Sequence, residues 1–181
     1  MQETDPAAVR AAAAGDLDAF DGLVRTYQEP VWRFLVGLVG DRALAEDLAQ
    51  DTFLRAYRNL GGFEFRSRFS TWLFTIARNV ATDALRSRAS QRRALARLAR
   101  QPSDERPDPA LAAAMDEALS SLSHKLREAI LLVEIAGFTC KDAGSILGVA
   151  EGTIKSRLYY ARRDLAKWFS EDDGEVADDG L

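Results

Sequence analysis

The last periodic segment of the chain combines side-chain types that can bind DNA. On a helical wheel at about 100° per residue, residues 151–169 separate into two faces. The apolar face consists of Ile154, Leu158, Ala161, Leu165 and Trp168. The opposite face consists of Gly152, Lys155, Ser156, Tyr159, Tyr160, Arg163 and Lys167. Cations, hydroxyls and phenols contact phosphates and base edges in a major groove, so the pattern predicts a DNA-binding helix.

A solvated basic helix surface would show the same charges, and the helix taken alone leaves that alternative open. The paired tyrosines weigh against it, because large exposed aromatic side chains usually mark a binding surface. Residues near the N-terminal end of such a helix usually reach the bases. We therefore expect base contacts from Lys155, Ser156, Tyr159 and Tyr160. Arg163 and Lys167 are expected nearer the DNA backbone.

The segments before this helix have the outline of a helix-turn-helix. Thr139 and Asp142 have the spacing of a capping box, which opens a short helix that ends at Gly148. A tight turn after Gly148 then leads into the DNA-binding helix. A further amphipathic helix is predicted over Leu119–Ala136.

The N-terminal half also has helical periodicity. Apolar residues recur through Asp16–Val39, where Pro30 predicts a kink or a break. After a loop over Phe63–Phe69, another helix is expected to start at Ser70 or Thr71.

Between these two segments, Asp41 is a good N-cap for a helix over Arg42–Leu60, which Gly61 and Gly62 end. Its buried side is predicted to consist of Leu44, Leu48, Phe53, Ala56, Tyr57 and Leu60. Its exposed side is predicted to consist of Glu46, Asp47, Gln50, Asp51, Leu54 and Arg58.

A proline-rich segment divides the chain. Residues 101–109, QPSDERPDP, hold three of the five prolines and cannot continue a helix. The predicted fold is all-α, with two small helical domains joined by a flexible linker. The predicted parts are an N-terminal domain at 1–95, a linker at 96–113, a helix-turn-helix domain at 114–170 and a disordered acidic tail at 171–181.

The charge distribution favours DNA more than the net charge of −4 indicates. The last eleven residues hold six acids and no base, and without them 24 basic residues face 22 acidic ones. Residues 85–106 contain seven arginines and two acids. Local potential matters more for DNA binding than the total.

Several function classes are disfavoured. His124 is the only histidine and Cys140 the only cysteine, so a typical zinc cluster or a Cys/His catalytic pair lacks partners. No phosphate-binding or dinucleotide fingerprint occurs. We expect no enzymatic activity, no metal and no cofactor. The single cysteine, and the lack of an apolar run or a secretory signal, favour a cytoplasmic protein without membrane insertion.

Three segments, in this order, resemble the extracytoplasmic-function (group IV) sigma factors of the sigma-70 superfamily. They are DRALAEDLAQDTFLRAYRNL at 41–60, FSTWLFTIARNVATDALR at 69–86 and GVAEGTIKSRLYYARRDL at 148–165. The resemblance covers roughly residues 16–168. It implies a sigma region 2 domain, a sigma region 4 domain, and two partners, promoter DNA and core RNA polymerase. An anti-sigma factor is a further partner that the resemblance leaves open.

The resemblance implies a division of labour. The helix over 42–60 would bind the clamp helices of the largest polymerase subunit through Glu46, Asp47, Gln50, Asp51 and Leu54. The helix-turn-helix would bind the minus-thirty-five element through Gly152, Lys155, Ser156, Arg157, Tyr159, Tyr160 and Arg163.

The loop over 63–69 and the helix after it would bind the minus-ten element and help to melt DNA. An unstacked base needs apolar walls and polar contacts. The walls would be Phe63, Phe65 and Phe69, and the polar contacts Ser67 and Asn79. The phosphates would be held by Arg66, Arg68, Arg78 and Arg86. Some of these aromatics, and Trp72 especially, fit a core position equally well.

The C-terminal segment departs from the family pattern at three positions. Gly144 replaces a larger residue, Ala150 replaces a serine cap and Ser123 replaces a proline. A helical glycine costs about 1 kcal/mol and a lost cap about 0.5–2 kcal/mol. We therefore expect a less stable C-terminal domain.

Two other functions remain as alternatives. A plain helix-turn-helix regulator would bind duplex DNA as a dimer, but it leaves the first ninety residues without a specific task. A protein-interaction module that antagonises or mimics a sigma factor would not need the basic face from Lys155 to Arg163.

Overall fold

The computed structural model describes residues 4–96 and 117–172, and every element in them is helical. The chain splits into two compact units, Met1–Arg106 and Pro107–Leu181. The predicted all-α organisation into two helical units is confirmed. The residue limits of the four predicted parts stay a prediction, and most of the linker and acidic tail lies outside the described residues.

The described part of the first unit, residues 4–96, contains four α-helices and one 3₁₀ turn. The elements are α1 (Pro6–Ala13), α2 (Leu17–Val39), α3 (Arg42–Asn59), the 3₁₀ turn Leu60–Gly62 and α4 (Phe69–Ala96). Side-chain oxygens of Asp5, Asp16 and Asp41 accept amide protons at the starts of α1, α2 and α3. Gly40 ends α2 in the left-handed conformation that glycine adopts without steric cost.

The core of this unit lies where α2, α3 and α4 pack together. The rings of Phe34 and Phe74 are both fully buried, with centroids 5.3 Å apart. Helices can approach closely where the side chains between them are small. The fully buried small residues on α3 and α4 are Ala45, Ala56, Ala77 and Ala81.

Three local predictions in this unit need correction. α2 runs continuously through Pro30, so the break that was one of the two predicted outcomes does not occur. The Tyr57 side chain is 47% exposed because the buried stripe of α3 follows Leu48, Thr52 and Ala56. α4 begins at Phe69, before the serine and threonine that were expected to start it.

The second unit contains the predicted helix-turn-helix. Its elements are α5 (described over residues 117–121), α6 (His124–Ile130) with a π-helical turn at Leu131–Ile135, α7 (Cys140–Leu147) and α8 (Glu151–Asp172). The Thr139 hydroxyl accepts the Asp142 amide at 3.1 Å, which confirms the predicted cap of α7. Gly148 ends α7 with a φ of 66° and opens the tight turn to α8.

The helix predicted over Leu119–Ala136 is interrupted. The chain leaves the helical conformation at Leu122 and Ser123 and restarts at His124. The Arg127 guanidinium donates to the carbonyls of Ser120 and Leu122, so it satisfies the open end of α5. The sequence pattern missed this break because the apolar periodicity continues across it.

A steric requirement that the sequence did not reveal explains why position 144 is a glycine. A Cβ atom at this position would lie 2.8 Å from the Val149 carbonyl oxygen. The Gly144 carbonyl also accepts the Val149 amide at 2.9 Å, which fixes the turn against α7. The residue therefore allows the close approach of α7 and the turn and is not simply a weak helix former.

We expect opposite effects from two substitutions in this turn. Gly144→Ala should destabilise the second unit by about 1–3 kcal/mol, because the new methyl group overlaps backbone. Ala150→Ser should stabilise it by about 0.5–2 kcal/mol, because the hydroxyl can cap α8. Urea unfolding of both variants measures the two changes. A stabilised Gly144→Ala protein would contradict the steric explanation.

Asp41 connects two helices of the first unit. One carboxylate oxygen accepts the Leu44 amide at 2.9 Å, and the other accepts from Arg88 on α4 at 3.0 Å. The hydrogen bond from Leu44, and then the one from Arg88, lower the pKa of this carboxyl below its ordinary value of 3.8. The charged form is therefore favoured in the folded protein.

We expect Asp41→Ala to destabilise the protein by about 0.5–2 kcal/mol at neutral pH. Because folding lowers this pKa, the contribution is complete above the unfolded value and is lost as the pH falls through the folded value. Urea unfolding should show the difference between wild type and variant narrowing from about pH 5 to about pH 3. A difference that stays constant over this range would contradict the assigned ion pair and cap.

Candidate DNA- and polymerase-binding surfaces

The predicted DNA-binding face of α8 is exposed, and its opposite face is buried. Ile154, Leu158 and Ala161 are at most 4% exposed. On the other side, the side chains of Tyr159 and Tyr160 are 66% and 47% exposed. The helical wheel therefore assigned both faces of this part of the helix correctly.

The exposed aromatic and cationic groups of α8 lie together. The two tyrosine rings are 5.4 Å apart in an edge-to-face arrangement, and the Arg163 guanidinium lies 5.1 Å from the Tyr160 ring. Gly152 and Ser156 are also exposed, whereas Arg157 is half-buried. The surface offers planar groups, cations and a hydroxyl side by side, which suits contacts with bases and phosphates.

The cations of this face have exposed acidic neighbours. Lys155 lies 2.7 Å from Glu151, and this hydrogen bond raises the pKa of the lysine. Arg163 lies 2.8 Å from Asp164, which likewise raises the pKa of the arginine. Both side chains are therefore charged at neutral pH. Solvent screens exposed pairs of this kind, so a phosphate can replace the acid.

The residues 63–69 form a compact aromatic loop. Phe63 and Phe69 are less than 10% exposed and pack against Trp72, with ring centroids 5.1 and 5.8 Å from it. Phe69 also contacts the buried Tyr27. Of the three predicted aromatic walls, Phe65 alone presents a large part of its ring, at 41% exposure.

The predicted polar groups of this site lie in the loop and along α4, and their exposure differs. Those on the exposed surface are Arg66, Ser67, Arg68, Asn79 and Arg86, and Arg78 is half-buried. The Arg66 guanidinium lies 2.8 Å from the Glu64 carboxylate, and the Ser67 hydroxyl donates to the Arg68 carbonyl. The loop and the start of α4 thus combine one exposed ring with several cations.

Two residues beside this loop were missed by the sequence interpretation. The Arg10 guanidinium lies 5.3 Å from the centre of the Phe65 ring, although 55 positions separate the two residues. The Thr71 hydroxyl is buried and has no hydrogen-bond partner among the described residues. Buried hydroxyls are normally paired, so Thr71 is an exception among the buried side chains of the first unit. The sequence signalled Thr71 only as a helix start and gave no signal for Arg10.

A groove of about 830 Å³ lies between α2 and α3. The predicted polymerase-binding residues Glu46, Gln50 and Leu54 line one side of it. Asp47 is exposed outside the groove, and Asp51 pairs with Arg55 at 2.9 Å. The structure brings three of the five predicted residues together in the groove and keeps the other two on the same helix.

The other side of this groove comes from α2 and was not predicted. Phe20 and Trp32 line it, and the Phe20 ring lies 5.1 Å from that of the exposed Tyr57. Leu54 is 54% exposed at the edge. Phe20 belongs to the apolar periodicity of α2, and periodicity does not distinguish a core residue from one that lines an open groove.

The described residues contain no group of histidine, cysteine, aspartate and glutamate side chains arranged to hold a metal ion. Of their helices, none is both long enough and apolar enough to span a bilayer.

Comparison with known proteins assigns both units to one family. Sigma-70 region 2 matches residues 23–91, and Sigma-70 region 4 matches residues 112–165. These matches cover the α2–α4 part of the first unit and the helix-turn-helix of the second.

Individual relatives agree with this assignment. The RNA polymerase sigma factor CarQ of Myxococcus xanthus is 35% identical over 90% of this chain and 96% of its own length. The ECF RNA polymerase sigma factor BldN of Streptomyces coelicolor is 34% identical over 91% of this chain, which spans 65% of that longer relative.

Solved structures include the sigma factor RpoE from Bartonella quintana, crystallised with the anti-sigma factor NepR. Its TM-score is 0.74 at 31% identity, covering 85% of this chain and 98% of RpoE. The resemblance found in the sequence is therefore confirmed. The chain belongs to the extracytoplasmic-function sigma factors of the sigma-70 family, which recognise promoters for RNA polymerase.

Proposed function

We propose that the second unit binds the minus-thirty-five element through the exposed face of α8. The observation that carries this proposal is that Lys155, Tyr159 and Tyr160 are exposed while Ile154 and Leu158 anchor the same turns in the core. The fixed backbone presents the polar groups to the major groove. Lys155 and the tyrosines contact base edges, and Arg163 contacts a phosphate.

The first unit binds the minus-ten element with its 63–69 loop and the start of α4. Melting a promoter leaves an unstacked base, which an aromatic ring can stack against. Phe65 has the exposed ring for this contact, with Phe63 packed behind it at 4.8 Å. The surrounding arginines neutralise phosphates of the separated strand.

Docking on the polymerase uses the groove between α2 and α3. A helix with apolar and basic residues fits an apolar groove whose edges carry Glu29 and Glu46. The clamp helices of the largest polymerase subunit have this role in the family. Leu54, which is more than half exposed, supplies an apolar contact at the edge.

The protein acts by binding rather than by catalysis, and it acts in the cytoplasm, where polymerase and promoter DNA are found. RpoE was crystallised with an anti-sigma factor. By that likeness, an anti-sigma partner is also proposed for this chain.

Run-off transcription tests the proposal directly. The complete reaction contains the purified chain, a bacterial core RNA polymerase and a pool of DNA with randomised upstream sequence. Control reactions each omit one of these three components. Defined transcripts should appear only when chain and core are both present. Binding of the chain alone to duplex DNA, without transcripts in the complete mixture, would instead support a plain helix-turn-helix regulator.

A further inference from the structure

Helix α1 lies before the residues that match Sigma-70 region 2, yet it is built into the first unit. It buries Val9 and Ala12, which are 2% and 4% exposed. Asp5 caps its first turn, and the hydroxyls of Thr4 and Tyr27 form a hydrogen bond. The helix therefore has a fixed position beside the 63–69 loop.

The exposed side of α1 contacts the loop through Arg10. Its guanidinium lies 5.3 Å from the centre of the Phe65 ring, within the range of a cation–π contact. Phe65 has a φ of 56°, which bulky side chains rarely adopt. Strained residues persist where the surrounding structure holds them, and they concentrate at ligand-binding sites.

Phe65 combines two properties that are each unfavourable in a protein without a bound ligand. Its backbone is strained, and 41% of its side chain is exposed to water. Packing against Phe63 and Arg10 restricts the ring but leaves part of it accessible. Such a ring is a preformed platform on which a base can stack without further ordering of the loop.

We propose that Arg10 is a positioning residue of the minus-ten site. It holds Phe65 in the conformation that presents the ring to the unstacked base, which makes α1 a working part of promoter melting. This inference rests on the proposed role of the 63–69 loop. The planar guanidinium is required, because a lysine ammonium is a more strongly hydrated point charge that stacks less well on a ring.

A direct phosphate contact by Arg10 predicts different behaviour. Such a contact would contribute about one released counterion to the salt dependence of DNA binding. Arg10→Ala would then lose affinity, and Arg10→Lys would keep most of the wild-type affinity, because lysine can also neutralise a phosphate. If Arg10 instead positions Phe65, its substitution leaves the salt dependence of binding unchanged. The substitution then lowers the affinity only when a base is present next to Phe65. The two roles therefore differ in both salt dependence and base dependence.

The test uses holoenzyme and forked DNA made from a promoter that the wild-type holoenzyme selects from the randomised pool. The single-stranded minus-ten overhang either carries all its bases or has an abasic site at one position in turn. The ratio of the two dissociation constants measures the gain from each base. The variants are Arg10→Ala, Arg10→Lys and Phe65→Ala. Arg25→Ala is the control, because Arg25 is an exposed arginine that pairs with Asp21 one turn away on α2.

We expect Phe65→Ala to abolish the preference for a base at one overhang position. Arg10→Ala and Arg10→Lys should each reduce that preference about 2- to 5-fold. Both variants should keep the wild-type salt dependence of DNA binding and the wild-type thermal unfolding midpoint. Arg25→Ala should behave as wild type.

Each other outcome overturns a defined part of the account. If Arg10→Lys restores binding and Arg10→Ala lowers the salt dependence, Arg10 is a phosphate contact. If only Phe65→Ala loses the preference, the positioning role is wrong while the proposed function of the loop stands. If Phe65→Ala keeps the preference, the proposed role of the loop fails, and the inference fails with it.

Discussion

Tyr159→Ala and Lys155→Ala should each reduce transcription from the selected promoter about 5- to 100-fold. Each side chain is exposed in the free protein, and each is expected to contact a base edge, a contact worth about 1–3 kcal/mol. Truncation removes this contact without opening a cavity, because Tyr159 is 66% exposed. Run-off transcription at fixed salt concentration measures the loss.

Phe169→Ala is the matched control for the tyrosine. Phe169 is also an exposed aromatic residue of α8, at 40% exposure, but it lies about 15 Å further along the helix. It should transcribe as wild type. Thermal unfolding of all three variants should stay close to that of wild type. Normal transcription by both Tyr159→Ala and Lys155→Ala would remove the case for this face of α8.

The double substitution Asp51→Arg and Leu54→Ala should weaken binding to core polymerase about 10- to 100-fold. Removing an exposed leucine from the groove edge eliminates an apolar contact, and charge reversal opposes a basic partner. The Asp51–Arg55 pair is exposed, so its loss costs the fold at most about 1 kcal/mol. Fluorescence anisotropy of the labelled chain, titrated with core polymerase, measures the affinity.

Asp21→Arg provides the control for the charge reversal. Asp21 pairs with Arg25 over the same helical spacing, at 2.7 Å, but it lies on α2, outside the predicted polymerase-binding face of α3. The affinity of the Asp21→Arg variant for core polymerase should equal that of wild type. An equal loss in both variants would show that net charge, not the groove between α2 and α3, determines the binding.

The sequence was most informative where the cause is local. Asp41, Thr139 and Gly148 sit at the ends of helices as predicted, because capping depends on residues a few positions apart. The two faces of α8 followed from periodicity alone, since Ile154 and Leu158 are buried and Tyr159 is not.

The sequence was least informative where the cause is tertiary. Phe20 lies in a periodic apolar segment but lines an open groove. Phe69 lies in an arginine-containing loop segment but is buried in the core. Arg10 reaches Phe65 only because α1 packs beside the loop. The sequence predicts only a loss of stability from Gly144, whereas the structure gives its cause: a Cβ atom there would lie 2.8 Å from the Val149 carbonyl oxygen.

The most direct test of two units acting on one promoter is to compare the sequences selected by wild type, Tyr159→Ala and Phe65→Ala holoenzymes from one randomised pool. Wild type should select two conserved blocks at a fixed separation. Tyr159→Ala should flatten the base preference of the upstream block alone, and Phe65→Ala that of the downstream block alone. A single selected block, or loss of both blocks in either variant, would contradict the account.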